Sequence, residues 1–160
     1  MHILLATDAD WIVNEVTAAL GGPETSFSVC RDGRAVAGVV GDREPDLVIT
    51  DLQVGSMGGM AISLALRNDE SVGALPRSPI LMLLDRQADV YLAKRSQADA
   101  WLIKPLDALR LKRAARAAID GTGLFEGIPV EPVAVPEDVD EDVAEAETGS
   151  SPEEEPANAG

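Results

Sequence analysis

The sequence predicts a single α/β domain: a parallel β-sheet with helices on both faces. Three observations predict it. Five short apolar runs alternate with five stretches whose apolar residues recur at helical spacing. The short runs are apolar nearly throughout, as strands covered on both sides must be. The chain has 160 residues, enough for one domain with a sizeable core, and holds no internal repeat.

HILLA (His2–Ala6) reads as the first strand. Trp11–Leu20 follows with apolar residues at 12, 13, 16, 19 and 20, a helical stripe that Gly21-Gly22-Pro23 ends. FSVC (Phe27–Cys30) is a second strand, and Arg34–Val40 a helix despite its valines. DLVIT (Asp46–Thr50) is the third strand, and Met60–Arg67 the next helix. PILMLL (Pro79–Leu84) is the fourth strand, Gln87–Arg95 a short helix, and AWLI (Ala100–Ile103) the fifth strand. Asp107–Ile119, rich in Ala, Leu and Arg, is the last helix.

Charge divides the chain. Residues 1–120 hold 16 acids and all 13 Lys and Arg; residues 121–160 hold the other 12 acids and no base. Five of the ten prolines also lie beyond Gly121. That segment cannot bury enough apolar surface to order itself, so the expected organisation is a domain over 1–120 and a disordered acidic Pro/Glu-rich tail over 121–160. Nucleic-acid binding is not expected, because it needs positive charge to displace counterions. The tail has no composition for a helix-turn-helix. Cys30 is the only cysteine, which excludes an intramolecular disulfide and reads as a small buried thiol. The N-terminus has no basic region before its four-residue apolar run Ile3–Ala6, and no run is long enough to span a bilayer. No membrane partner and a cytoplasmic location are expected.

In doubly wound sheets, ligands bind beyond the carboxyl ends of the strands. Thr7, Asp8 and Asp10 follow the first strand; Asp51 follows the third, ahead of the glycine-bearing loop LQVGSMGG; Asp85 follows the fourth; Lys104-Pro105 follows the fifth. Distant carboxylates and one lysine thus converge on one sheet edge. Each has a plainer reading. Asp51 and Asp85 could be turn or loop residues, Asp8 and Asp10 helix caps, and Lys104 a solvated cation. Asp10 reads best as the cap of the first helix. Trp101 reads as core or as an anchor for a partner, Trp11 as packing at a helix start, and His2 has no assigned role. Arg110, Lys112, Arg113 and Arg116 on the last helix read as a solvated face or a docking surface.

The stretches ILLATDAD, VITDLQVGSMGG and ADAWLIKP, in that order, resemble the receiver domain of two-component response regulators. The resemblance covers about residues 1–120. TDADW and LQVGSMGGM look like an atypical, stand-alone actinobacterial type. The resemblance implies a flavodoxin-like fold with strand order 2-1-3-4-5. It implies a phosphorelay protein with Asp51 as phosphoacceptor, attacking a phosphohistidine or a small phosphodonor. Mg²⁺ would be held by Asp8, Asp51 and the Gln53 backbone carbonyl, and Lys104 would contact the phosphoryl oxygens. Pro105 would follow a cis bond, and Gly58 and Gly59 would let the loop approach the site. Implied partners are a sensor histidine kinase or phosphotransfer protein, an unidentified downstream protein, and a second copy docked through the last helix. No enzymatic activity is implied beyond Mg²⁺-dependent self-phosphorylation and autodephosphorylation.

Several positions depart from the family pattern. Thr7 stands where the first of two adjacent acids is usual. Leu84 replaces the Ser or Thr that ends the fourth strand, Asp85 replaces a small residue after it, and Gly55 replaces a proline. Trp101 keeps the aromatic three residues before the lysine. Metal binding is therefore expected to be weak and the switch impaired. The alternative function is a pseudo-receiver scaffold that binds partners without phosphorylation. A hydrolase has no support, since there is no nucleophile–base pair and no phosphate loop.

Overall fold

The computed structural model describes residues 1–128, and these form a compact unit, Met1–Ile128. Its elements run β1 (His2–Ala6), α1 (Asp10–Leu20), β2 (Ser26–Cys30), α2 (Val36–Arg43), β3 (Leu47–Asp51), α3 (Gly59–Ser71), β4 (Ile80–Leu84), α4 (Val90–Arg95), β5 (Ala100–Ile103) and α5 (Ala108–Asp120). The five strands are all parallel, in the order β2-β1-β3-β4-β5. The expected fold class and strand order are those observed.

Period-two alternation divides the central strands between two cores. Ile3, Leu5, Leu47, Ile49, Leu81, Leu83, Ala100 and Leu102 face α1 and α5, which contribute Ile12, Val16, Leu111, Ala114 and Ala118. The intervening residues face the other way. Leu4, Ala6, Val48 and Ile80 meet α2 and α3, and Met82, Leu84 and Trp101 meet α4. β3 and β4 are buried at every position, which is why they read as unbroken apolar runs. β2 is at the sheet edge and only its Cys30 is buried.

Most strand and helix ends fall within a residue of expectation, but α3 runs on to Ser71, four residues beyond the expected Arg67, and two helices and one cap differ in kind. Arg34–Val40 begins as a 3₁₀ turn, Gly33–Ala35, and Gln87–Arg95 begins as another, Gln87–Asp89. The fourth helix is thereby only six residues long. Asp10 does not cap α1. The cap position is Ala9, and Asp10 lies inside the first turn, where its carboxylate pairs with Arg31 at 2.5 Å. Its charge still suits the positive end of the helix dipole. Asp107, by contrast, caps α5 by accepting from the Arg110 N–H at 2.9 Å.

The expected tail divides at Ile128. Residues 129–160 lie outside the described residues. Residues 121–128 do not leave the domain: Phe125 forms a parallel bridge with Trp101, whose N–H donates to the Leu124 carbonyl at 2.9 Å. β5 is the sheet's edge strand, and this strap satisfies backbone groups that an edge leaves open. The Phe125 and Trp101 rings lie 4.5 Å apart between centroids, and the indole N–H donates to the Glu126 carbonyl at 2.8 Å. Arg110, read from sequence as part of a solvated face, instead binds the Glu126 carboxylate. Burial pushes that carboxyl up. The hydrogen bonds from Arg110 and the Ile103 N–H, with the guanidinium charge, outweigh this and hold it below its ordinary value of 4.5.

A charge cluster closes the opposite end of the sheet. Arg67, its side chain 7% exposed, pairs with Glu70 at 2.6 Å and Asp99 at 2.5 Å and donates to the carbonyls of Ser78 and Gln97. Every partner of the guanidinium is thus fixed, which is the condition for a buried cation.

Two outcomes are expected from these contacts. Arg67→Met leaves Glu70 and Asp99 with only the exposed Arg77 as counter-ion and removes the donor to the Ser78 and Gln97 carbonyls, so urea unfolding should show a loss of about 3 kcal/mol. The Glu126 pKa is depressed in the folded state, so its contribution is complete above 4.5 and is lost as pH falls through the lower folded value. The hydrogen-exchange protection factors of the Trp101 and Glu126 amides, corrected for the intrinsic rate at each pH, should therefore fall on acidification before those of β1 and β3.

Candidate functional site

The rows of side chains that face α1 and α5 continue past the strand ends. Ile3 and Leu5 lead to Thr7, Ile49 to Asp51, Leu83 to Asp85, and Leu102 to Lys104. Four strands thus deliver four polar groups to one place, because each next step of the same alternation falls where the core stops.

Asp51 is the last residue of β3 and is 2% exposed. The Lys104 ammonium lies 2.6 Å from its Oδ1, and the Thr7 hydroxyl donates to its Oδ2 at 3.2 Å. The Gln53 N–H adds a long contact to Oδ1 at 3.4 Å. Lys104 also binds Asp85 at 2.7 Å, so one ammonium bridges two carboxylates. Burial alone lowers the lysine pKa. The hydrogen bonds and charges of Asp51 and Asp85 outweigh it and hold the ammonium above the ordinary lysine value. The Trp11 ring stands 5.6 Å from the same nitrogen and is 49% exposed, so it covers the lysine from outside rather than packing in the core.

The loop after β3 comes very close. A Cβ on Gly59 would lie 2.3 Å from the Asp51 carbonyl oxygen, so only glycine can begin α3 there, and Gly58 sits 3.2 Å from the Leu52 carbonyl by the same measure. Gly55 leaves room beside Asp8: a Cβ there would lie 3.4 Å from the Asp8 Oδ2. Asp8 therefore borders the β3–α3 loop, and Arg31 binds its backbone carbonyl at 3.1 Å. Thr7 does more than fill the place of a second acid. Its hydroxyl bonds Asp51 and also accepts the Ala9 N–H at 3.1 Å, fixing the turn into α1.

The remaining candidates are placed as follows. Leu84 is fully buried and shares an apolar cluster with Trp101, which is 4% exposed and thus core rather than an exposed anchor. The Lys104–Pro105 peptide is cis. Asp85, read from sequence as a loop or cap residue, belongs to the site through Lys104, and Asp10 is withdrawn from it by Arg31. His2 lies at the other end of β1, its ring bonded to Ser26 and Ser28. Among the described residues no group of three His, Cys, Asp or Glu side chains is gathered as for a metal ion. None of their helices is long and apolar enough to cross a membrane.

Comparison with known proteins bears on the family and the fold. The chain is 31% identical over 120 residues to the DNA-binding response regulator MtrA of Mycobacterium tuberculosis strain H37Rv, covering 74% of this chain and 50% of that protein. It thus spans about half the length of the curated relatives it matches. Among solved structures, it resembles the signal receiver domain of a signal transduction histidine kinase from Syntrophus aciditrophicus, with a TM-score of 0.64, 21% identity, and coverage of 75% of this chain and 90% of that one. The receiver domain of the sensor histidine kinase PA1611 from Pseudomonas aeruginosa PAO1, described with a magnesium ion coordinated in its active site cleft, matches with a TM-score of 0.62 and 20% identity over 74% of this chain and 97% of that one. The family model of the response regulator receiver domain matches residues 3–116, and with the strand order and the Asp51–Lys104 pair in place, the chain belongs to that family.

Proposed function

We propose that this chain acts as a receiver that accepts a phosphoryl group on Asp51 and signals by protein contact. The observation that carries this reading is the 2.6 Å contact between Lys104 and a buried Asp51 at the carboxyl edge of the sheet. One Asp51 oxygen attacks phosphorus, and the bond from phosphorus to the donor breaks. With a phosphohistidine of a sensor kinase or phosphotransfer protein, the imidazole leaves; with a small acyl phosphate, the carboxylate leaves. A carboxylate is a weak nucleophile toward a phosphate, so charge around the transferred group must be offset. Lys104 supplies one positive charge and changes partner as the phosphoryl oxygens arrive. Thr7 holds the orientation of Asp51.

Asp8, Asp51 and the Gln53 carbonyl fit a weak Mg²⁺ site, since this ion uses one or two carboxylates together with waters and phosphate oxygens. When bound, Mg²⁺ would neutralise oxygens of the transferred group. The chain's own chemistry stops at this transfer and its hydrolytic reversal, so the protein is a signalling module rather than an enzyme with a separate substrate. A homodimer through α5, an unidentified downstream protein as receiver of the signal, and a cytoplasmic location without nucleic-acid or membrane contact complete the proposal.

A specific observation favours a second reading, a scaffold that binds partners without phosphorylation. Asp51 already holds an ammonium and a hydroxyl, and the same ammonium holds Asp85. The cluster is satisfied with neither metal nor phosphoryl group. Acetyl phosphate with Mg²⁺, followed by intact mass, separates the two. The receiver reading expects one phosphoryl group on the wild type and none on Asp51→Asn. A wild type without a mass gain, with or without Mg²⁺, would leave the scaffold.

Asp85 provides a graded test. A carboxylate near an incoming dianion costs on the order of 1 kcal/mol in partly solvated surroundings. Asp85→Ala is expected to raise the rate of Asp51 phosphorylation roughly fivefold at low salt, with a smaller gain at high ionic strength.

A further inference from the structure

Lys104 is held by more than its two carboxylates. Its backbone is fixed on both sides by a pair of residues that the pocket does not contain. The Ile103 N–H donates to the Glu126 carboxylate at 2.9 Å. The Arg110 guanidinium donates from Nη2 to the Ile103 carbonyl at 2.8 Å and from Nη1 to the Pro105 carbonyl at 2.7 Å. Arg110 and Glu126 bind each other, with Nε donating to Oε1 at 2.7 Å. One fork therefore grips the residue before Lys104 and the residue after it, and its counter-ion grips the first of these again.

Glu126 comes from the strap, beyond residues 3–116 that match the family. The strap is itself anchored. Leu124 and Glu126 bond the Trp101 backbone, Phe125 stacks on the Trp101 ring, and Gln87 donates to the Gly127 carbonyl at 2.5 Å. Gln87 lies two residues after Asp85, the second carboxylate on Lys104. The strap thus touches the chain beside both ends of the Lys104–Asp85 contact.

We infer that Arg110 and Glu126 are positioning residues for Lys104, so that the segment Leu124–Gly127 is a working part of the Asp51 pocket rather than the start of a linker. The Lys104 N–H also donates to the Leu84 carbonyl at 2.8 Å, which holds one point of this backbone; the fork holds the carbonyls on either side of it, and without the fork they can turn about that point and weaken the ammonium's contact with Asp51. A charged fork with fixed partners on a planar geometry resists this where a single lysine could not. The consequence for phosphoryl transfer rests on the reading of Lys104 as the phosphoryl contact; the positioning itself does not.

The test uses the full chain and needs neither metal nor phosphodonor. The protein has three lysines, Lys94, Lys104 and Lys112. Lys94 and Lys112 are exposed, while the Lys104 side chain is 12% exposed. Trace acylation with acetic anhydride, read by peptide mass spectrometry, should label Lys104 at least tenfold more slowly than the other two. Glu126→Gln and Arg110→Met are each expected to raise the Lys104 rate threefold or more and leave Lys94 and Lys112 unchanged. Arg110→Lys keeps the charge but not the fork. It carries the test should either variant unfold, and is expected to give an intermediate Lys104 rate. An unchanged Lys104 rate in the folded variants overturns the inference, whatever acetyl phosphate does to Asp51. If Asp51 also accepts phosphate, the same variants should slow its modification severalfold.

Discussion

The Lys104–Asp51 pair is the constraint around which the rest is arranged. A carboxylate at 2% exposure is costly to bury without a partner, and an ammonium drawn into the same place faces the same desolvation penalty. The two are tolerable only together and only in a fixed geometry. The parallel sheet supplies that geometry by ending β3 and β5 at the same level, with β4 between them carrying Asp85. Thr7 then settles the second oxygen of Asp51 at no cost in charge. The departures from the family pattern are consistent with one another in this light. Where a second acid is usual there is a hydroxyl, and where a small residue is usual there is an acid on the far side of the lysine. The second acid thus stands on the lysine side of Asp51, and a hydroxyl stands on its other oxygen.

That relocation has a physical consequence for any incoming phosphoryl group. An acid beside Asp8 would strengthen a cation site, and its absence weakens it. Asp85 holds the same lysine at 2.7 Å and, under the proposed function, would compete for it with the phosphoryl oxygens. The apolar environment of Leu84 and Trp101 offers no hydroxyl on β4 to sense the new charge. In this chain, information about the state of Asp51 can leave the pocket through Lys104 and the backbone on either side of it. The residues that grip this backbone are Arg110 and Glu126.

Much of the fold could be read from the sequence because it rests on local pattern. Apolar runs of four to six residues marked the five strands, and the polar residues following them marked the edge that gathers Asp51 and Lys104. Asp85 was legible by the same alternation, as the next step after Leu81 and Leu83, yet a lone acid after a strand reads as a turn residue. What could not be read rests on pairs distant in sequence. Arg67 sits within a largely apolar stripe of α3, and nothing local announces that Asp99 will meet it. Arg110 shares a face with solvated cations, and its partner lies 16 residues away in a segment whose composition resembles the tail beyond it. Composition measures whether a segment can bury itself; it is silent on whether an edge strand offers that segment a place.

The strap shows how small that margin is. Leu124–Gly127 has too little apolar surface to order alone: Leu124 packs partly buried against the main core, and Phe125 lies 44% exposed beside Trp101. Its order is borrowed from β5, whose edge supplies backbone partners, and from Arg110, whose charge must be met once the fork has turned toward the Ile103 and Pro105 carbonyls. The exchange works in both directions: β5 gives the strap its register, and the strap removes an open edge and an uncompensated guanidinium from the domain. A contact so balanced responds to small changes on either side, and one of its sides is the residue next to Lys104. A free-energy difference of 1–2 kcal/mol in the pocket is comparable to what a short edge ribbon with one charged pair gains. Under the positioning inferred above, linkage makes the coupling reciprocal: what displaces Lys104 from Asp51 shifts the strap, and what lifts the strap alters the pocket by the same free energy.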